Sequence, residues 1–240
     1  MTALGKALKE NRAAQAAEIA FVFLLAFAVV FVGWRVVGSD LFARQAVVWV
    51  ANLLMLGTVW IGLTVRGQTW EHFGLRVRFA GLRPLGRTVL QSIIVLAVAL
   101  AAFVAGAVVM ANVMPAPQNA DMSGYDYLQG NLPMLLLALA GVYIVSSFGE
   151  EVIYRGFLIN RLAEIGRRGK AAWGIAVGIS AVVFGLAHFS WGIVGVVQSV
   201  FMGLALGIAY LVTKRNLAVL ILAHGYIDTL LLVQMYAAAP

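Results

Sequence analysis

A cluster of charged residues in an otherwise apolar region is the first feature that could carry out chemistry. The stretch "SSFGEEVIYRGF", residues 146–157, places Glu150, Glu151 and Arg155 directly after the apolar run "LPMLLLALAGVYIV". Glu151 and Arg155 are four residues apart, so on a helix they share a face and can form a local ion pair. Glu150 is rotated by about 100° from Glu151 and needs a partner on another element.

Two histidine pairs farther along the chain could supply that partner. Phe184 and His188 in "FGLAH" are four residues apart, and so are His224 and Asp228 in "HGYID". Each pair alone also fits a purely structural histidine, packed against a ring or oriented by a carboxylate. A glutamate that faces a histidine across a protein interior can activate a water as a general base. The three motifs therefore predict hydrolytic chemistry if the fold brings them together.

The elements that must position these residues are membrane-spanning helices. Of the 240 residues, 62% are hydrophobic and only 11% are charged, and stretches of 18 or more mostly apolar residues recur along the chain. We predict an all-α, polytopic membrane helix bundle with its active site inside. About seven spans are expected, and six to eight fit the pattern. They lie at about 18–38, 43–65, 88–112, 132–160, 171–189, 192–212 and 217–236.

Apart from Glu18 at the start of the first span, the acidic residues and histidines inside these spans all fall in the fourth, fifth and seventh. They are Glu150, Glu151, His188, His224 and Asp228. Each costs about 2.5–3.5 kcal/mol to insert, so each needs a partner or a function. Short connections make the fourth to seventh helices antiparallel neighbours, which brings Glu150 and His188 to similar depths. His224 reaches that depth only if the fourth helix extends beyond the membrane at its C-terminal end.

Basic residues divide unevenly between the two ends of the predicted bundle. Of the 17 Lys and Arg residues, 15 lie before the first span or in alternate connections, and only Arg35 and Arg44 lie at the other end. The positive-inside rule then predicts a cytoplasmic N-terminus and an external loop at 113–131. Anionic lipid headgroups account for the net charge of +7, so no nucleic-acid partner is expected. The absence of cysteine excludes thiolate nucleophiles and thiolate metal sites.

Three further expectations concern the architecture. The connection at 66–87 is basic and partly amphipathic, which predicts a segment on the membrane surface. Gly203 and Gly207 have the spacing that lets membrane helices approach closely, and a merely flexible helix would show the same pattern. We expect one integral-membrane domain, in which residues 1–131 form three spans with a cytoplasmic basic loop and residues 132–240 form a catalytic core of four spans.

The three motifs resemble those of the CAAX prenyl protease and bacteriocin-processing (CPBP) family of intramembrane proteases. Members have two glutamates followed after three residues by arginine, then Phe and His separated by three residues, then His and Asn or Asp separated by three. "EEVIYR", "FGLAH" and "HGYID" match in this order, and the resemblance covers residues 132–236. The members that process prenylated proteins carry Asn at the last position, where this chain has Asp228.

The resemblance implies peptide-bond hydrolysis inside the membrane. By analogy, Glu150 and His188 would activate a water, and His224 and Asp228 would stabilise the oxyanion. Glu151, Arg155 and Phe184 would support the site. The four catalytic candidates could instead bind zinc, which favours nitrogen and oxygen ligands, and both mechanisms stay open. An ionised Asp228 cannot donate to an oxyanion, so it would have to be protonated, orient His224 or bind metal.

We therefore expect an intramembrane endopeptidase, of glutamate type or a metalloendopeptidase, in the lipid bilayer of a prokaryotic cell membrane. Its substrate could be a prenylated C-terminus, a leader peptide or a membrane-anchored regulator. Two other classes also fit the buried polar residues. A non-catalytic immunity or scaffold protein could keep the motifs for folding or binding, and a proton-coupled carrier could use Glu150 and the histidines as a relay. Related halves and helices broken at mid-membrane, both common in carriers, are not clear in this chain.

Overall fold

Seven membrane-spanning helices form the protein, as predicted. The computed structural model describes residues 2–76, 81–114 and 119–238, which are helical with no strand among them. Within these residues, seven helical spans are long and apolar enough to cross a membrane. The chain is therefore an integral, multi-pass membrane protein. The spans are Arg12–Val37, Leu41–Val65, Leu82–Val113, Leu132–Ile165, Lys170–Ala187, Phe189–Val212 and Leu217–Ala237.

Two capped helices open the chain. Helix α1 covers Ala3–Glu10, and helix α2, the first span, covers Arg12–Val37. The side chain of Asn11 accepts hydrogen bonds from Ala13 N and Ala14 N, which makes it the N-cap of α2. The span thus begins at a capping residue, several residues before the apolar run from which its start was predicted. Helix α1 was not predicted.

The connection between α3 (Leu41–Val65) and α4 (Leu82–Val113) enters the bundle. A short 3₁₀ helix, Trp70–Phe73, buries Phe73 completely. Gly74 follows with a φ of +87°, and a Cβ there would collide with the backbone of Arg215. A segment on the membrane surface was predicted here, and this part of it packs into the protein instead. Residues 77–80 of the same connection lie outside the described residues.

The fourth span is one continuous helix with an unusual middle. It begins as α5 (Leu132–Val142), continues as a π-helical segment (Tyr143–Leu158) and ends as α6 (Ile159–Ile165). At the last transition the N–H of Ile159 bonds to the carbonyl of Tyr154, five residues earlier. Wide helices of this kind are rare and often mark functional sites. The span ends at Ile165, five residues beyond the predicted end at residue 160. A C-terminal extension of this kind is what His224 needs in order to reach the depth of Glu150.

Helices α7 (Lys170–Ala187) and α8 (Gly192–Val212) pack closely because small residues line their contact. A Cβ added to Gly203 would lie 3.0 Å from the Phe184 ring and 3.2 Å from the Cα of Ala181. One added to Gly207 would lie 2.9 Å from Val177. The close-approach interpretation of these two glycines is therefore the one that the structure supports.

The first three spans and the last four share one core. Helix α3 packs on the π-helical segment, and α4 packs on α8 and on α9 (Leu217–Ala237). Buried members of this core come from both halves of the chain: Val22, Met55, Val95, Ile153, Phe184, Tyr210 and Val219. Because their packing surfaces interlock, the first three spans contribute directly to the surroundings of the last four.

The connection before α5 covers one end of the bundle. The N–H of Asp121 donates to the carbonyl of Trp191 at 3.0 Å, and the Tyr125 and Trp191 rings lie 6.3 Å apart, centroid to centroid. Gly130 N donates to the carbonyl of Tyr236. We call this the covered end. The opposite end, which holds α1, the connection after α3 and the turns at 166–169 and 213–216, we call the basic end.

Candidate active site

All four predicted catalytic residues line one cavity of about 1230 Å³ inside the bundle. Glu150 comes from the π-helical segment, His188 follows the last residue of α7, and His224 and Asp228 belong to α9. Three separate helices thus bring together residues that are far apart in the sequence.

Glu151 joins the first and last motifs. Its Oε1 accepts a hydrogen bond from Nη1 of Arg155 at 2.8 Å and lies 2.8 Å from Nδ1 of His224. Glu151 and Arg155 are fully buried, so the predicted ion pair within one helix is present. A carboxylate oxygen accepts hydrogen bonds, so Nδ1 of His224 carries a proton when Glu151 is ionised. The other ring nitrogen, Nε2, is left for the cavity.

Nε2 of His224 lies between two further carboxylates. It is 4.0 Å from Oε2 of Glu150 and 3.7 Å from Oδ1 of Asp228. Both separations are too long for a direct hydrogen bond, and each allows a shared water. Oε2 of Glu150 is buried and has no hydrogen bond within the described residues. The geometry therefore leaves an unsatisfied carboxylate oxygen and a free imidazole nitrogen facing the same small space.

Phe184 and His188 support the site in different ways. Nδ1 of His188 lies 2.8 Å from the carbonyl of Phe184, and a carbonyl only accepts, so Nδ1 carries the proton. The Nε2 of neutral His188 is then free to accept one. The Phe184 ring lies 4.4 Å from the guanidinium of Arg155, which stacks over it. No hydrogen bond between Glu150 and His188 is present among the described residues; they share the cavity wall.

Residues that the sequence analysis missed extend the contact between the π-helical segment and α9. The hydroxyl of Ser147 donates to Oδ2 of Asp228 at 2.7 Å, and the hydroxyls of Tyr143 and Thr229 are 2.8 Å apart. Tyr143 and Ser147 precede Glu151 by eight and four residues, so one face carries all three. That spacing of four, continued back from Glu151, is the pattern that could have identified them.

The cavity is rich in aromatic side chains and reaches from the site to the covered end. Aromatic residues along its wall include Phe23, Phe27, Phe31, Trp34, Trp49, Phe103 and Tyr125. Arg35 and Arg44, the two basic residues set apart by the charge count, also line it. Burial raises the pKa of the Tyr125 hydroxyl well above its usual value, so this group stays neutral at ordinary pH. An apolar ligand with a polar or anionic end matches such a wall.

The four candidate ligands have the right chemistry for zinc, but their arrangement does not fit it. Within the described residues, no group of three or more His, Cys, Asp or Glu side chains is placed to hold a metal ion. Zinc binding therefore stays a prediction that a measurement of bound metal would test, and the protein's own side chains are the groups considered for the reaction.

Comparison with known proteins supports the family suggested by the motifs. The sequence model of the type II CAAX prenyl endopeptidase Rce1-like family matches residues 132–230. This range contains all three motifs, so the resemblance to this group of membrane proteases is confirmed. A search of curated proteins found no match, and neither did a search of solved structures.

Proposed function

Since residues 132–230 match the Rce1-like type II CAAX prenyl endopeptidases, we propose that this chain is an intramembrane endopeptidase that hydrolyses a peptide bond with a water activated by Glu150 and histidine. The observation that carries the proposal is the unsatisfied Oε2 of Glu150, 4.0 Å from Nε2 of His224 in a cavity inside the membrane bundle. A water between these atoms would be held for proton transfer.

The reaction begins with this water. The Glu150 carboxylate, assisted by Nε2 of neutral His188, takes a proton from the water as its oxygen bonds to the carbonyl carbon of the substrate. The carbonyl oxygen becomes an oxyanion in the tetrahedral intermediate. Protonated Glu150 then gives the proton to the amide nitrogen, and the C–N bond breaks to leave a carboxyl group and an amine. Water is consumed, and the glutamate returns to its starting state.

The oxyanion is stabilised from α9. When its imidazole is charged, His224 donates from Nε2 while Nδ1 stays bound to Glu151. Asp228 lies 3.7 Å from the same Nε2 and is held at its other oxygen by Ser147. It can add a second donor only in its protonated form. Glu151 acts as a positioning residue, because it fixes the ring of His224.

The wall of the cavity supports an apolar substrate. Its many aromatic side chains fit an isoprenoid chain or a hydrophobic peptide, and its volume of about 1230 Å³ is large enough for both a short peptide and an attached lipid. The name of the matched family supports prenylated CAAX tails as the first substrate to test. This chain has Asp228 where members that process prenylated proteins carry Asn. Because of this difference, leader peptides and membrane-anchored regulators are alternative substrates.

A cleavage assay with purified protein tests the proposal. Wild type and Glu150→Gln are reconstituted in liposomes with a farnesylated CAAX peptide, and the products are identified by mass spectrometry. We expect release of the three C-terminal residues by wild type and a loss of at least about 100-fold in Glu150→Gln, since general-base catalysis contributes 10²–10⁴-fold. Glu10→Gln, which changes an exposed carboxylate of α1, is the control and should cleave normally. Near-normal cleavage by folded Glu150→Gln would show that the base is misassigned.

A further inference from the structure

A second pocket, separate from the catalytic cavity, lies at the basic end. It has a volume of about 410 Å³ and is enclosed by the start of the chain, the end of α3 and the region from α6 to the following turn. Its lining is almost entirely polar or charged: Lys9, Gln15, Arg66, Gln68, Arg161, Glu164, Arg167 and Arg168. The proposed protease chemistry uses none of these residues.

The basic side chains that line this pocket outnumber the carboxylates that pair with them. Arg66 forms a two-pronged pair with Glu18, and Arg161 pairs with Glu164 at 2.8 Å. Arg168 binds the same Glu164 at 2.6 Å. Among the described residues, Glu18 and Glu164 are the carboxylates seen paired with the five basic side chains that line the pocket, so basic groups outnumber them there. A site with this excess attracts an anion.

Buried polar atoms at the pocket also lack partners. Arg161 is 1% exposed, and its Nε has no hydrogen bond within the described residues. Oε2 of Glu18 lies 3.6 Å from this Nε, which is too long for a hydrogen bond. Gln15 is 4% exposed, and its Oε1 is likewise unsatisfied in the described part of the chain. Unsatisfied buried groups are uncommon. The N–H of Arg161 could donate to an anion, whereas the oxygen of Gln15 accepts and would need a donor such as a hydroxyl of the same ligand.

We propose that this pocket binds a phosphate group, carried by an anionic phospholipid headgroup or present as free phosphate. Guanidinium groups pair with phosphate oxygens in a planar, two-pronged geometry. The guanidinium of Arg66 is taken up by Leu8, Gly62 and Glu18, so the exposed Arg167 and Arg168, with Lys9, are the groups that would hold the phosphate. Basic pockets between membrane helices are suited to lipid headgroups, and this pocket lies where α3 and the fourth span end. Binding there would tie α1 to the end of the span that carries Glu150. The site does not depend on protease activity.

The chain offers a matched pair of variants for testing this site. Arg167 lines the pocket and has a φ of +61°, and Lys214 has a φ of +58° in the turn at 213–216 and does not line the pocket. Glycine suits this backbone conformation, so Arg167→Gly and Lys214→Gly should both fold, each with one charge fewer. Lys9→Gln and Lys6→Gln form a second pair, since only Lys9 lines the pocket.

Binding is measured in a neutral detergent by titration with short-chain phosphatidylglycerol, with phosphatidylcholine of the same chain length, and with inorganic phosphate. We expect wild type to prefer phosphatidylglycerol. Arg167→Gly and Lys9→Gln should each weaken binding about fivefold, because one basic residue near a headgroup contributes about that factor. Lys214→Gly and Lys6→Gln should bind as wild type does.

The titrations with phospholipid and with inorganic phosphate distinguish the two sources of the phosphate group. Competition by inorganic phosphate at similar concentration would assign the site to free phosphate, and its failure to compete would assign the site to the lipid headgroup. Absence of any preference for phosphatidylglycerol or phosphate, or equal losses in the pocket variants and their controls, would overturn the proposal.

Discussion

One carboxylate oxygen at the site serves two partners. Oε1 of Glu151 is within 2.8 Å of both Arg155 and His224, so this residue links two motifs that are 73 positions apart. Removal of Glu151 leaves both partners buried without their carboxylate, and removal of Arg155 leaves Glu151 without its cation; breaking a buried ion pair costs about 3–5 kcal/mol. Glu150, by contrast, has an unsatisfied oxygen and lies 4.0 Å from His224, so its removal breaks no close buried ion pair of the kind that Glu151 makes. Two adjacent glutamates should therefore respond differently to mutation.

The first prediction concerns this difference. Glu151→Ala and Arg155→Ala should lower the yield of folded protein and its melting temperature in detergent. Glu150→Ala and His188→Ala should leave both near wild type while they abolish cleavage. Size-exclusion profiles and thermal unfolding, run beside the cleavage assay, measure both properties. If Glu150→Ala were as unstable as Glu151→Ala, the division of roles between them would be wrong.

The second prediction concerns Asp228. Asn at this position can still accept from Ser147 with its oxygen, and its NH₂ group can donate toward the oxyanion. We expect Asp228→Asn to keep or raise turnover. Cleavage rate and bound zinc should be measured together for both proteins in one detergent. Loss of stoichiometric zinc together with loss of cleavage would contradict this expectation and identify a metalloprotease.

At the scale of the elements, close helix contacts hold the side chains of the candidate site. Phe184 on α7 lies against Gly203 on α8 and beneath the guanidinium of Arg155. Next to it, Gly185 approaches α8 so closely that a Cβ would lie 2.7 Å from the carbonyl oxygen of Val196. The distance between α7 and α8 therefore affects the position of the first motif.

The third prediction tests this contact with two glycines of the same helix. Gly185→Ala should push α7 and α8 apart, lower stability by about 1–3 kcal/mol, as overpacking does, and reduce cleavage. Gly178→Ala has no atom within 4 Å of the new Cβ and should be neutral or slightly stabilising, because alanine favours helix. Thermal unfolding compares the stability of the two variants. Equal stability of the two would mean that the helix contact is not tight at Gly185.

The sequence predicted the spans better than it predicted the partners within them. Long apolar runs define helices such as Leu82–Val113 directly, whereas the short helix Ala3–Glu10 has no such run. Spacing of four identified the Glu151–Arg155 pair, since both residues lie in one helix. The contact between Glu151 and His224, and the one between Glu18 and Arg66, join residues that are distant in sequence. Those contacts depend on helix packing, which no local pattern reveals.

The wide winding of the fourth span was also beyond prediction. Wide helices with i to i+5 bonds are rare, so "YIVSSFGEEVIYRGFL" is read from the sequence as an ordinary α-helix. Packing on α3 and α9 accompanies the wider form. Sequence motifs thus identified the candidate residues, while their mutual orientation became clear only from the fold.

At the scale of the whole molecule, the uneven distribution of basic residues predicts orientation. Ser123 lies at the covered end and Gly169 at the basic end, and both are exposed. The chain has no cysteine, so Ser123→Cys and Gly169→Cys would each provide one labelling site. An impermeant thiol reagent added outside intact cells should label the first and not the second. The reverse pattern would invert the predicted orientation.

The place of His224 in the last span has a consequence for biogenesis. Membrane helices enter the bilayer in chain order, so the glutamates of the fourth span are inserted before α9 is synthesised. Until α9 docks, Glu151 and Arg155 have no imidazole partner, and the cavity lacks the wall that carries Asp228. A nascent chain therefore holds its glutamates in the membrane without a complete hydrolytic centre.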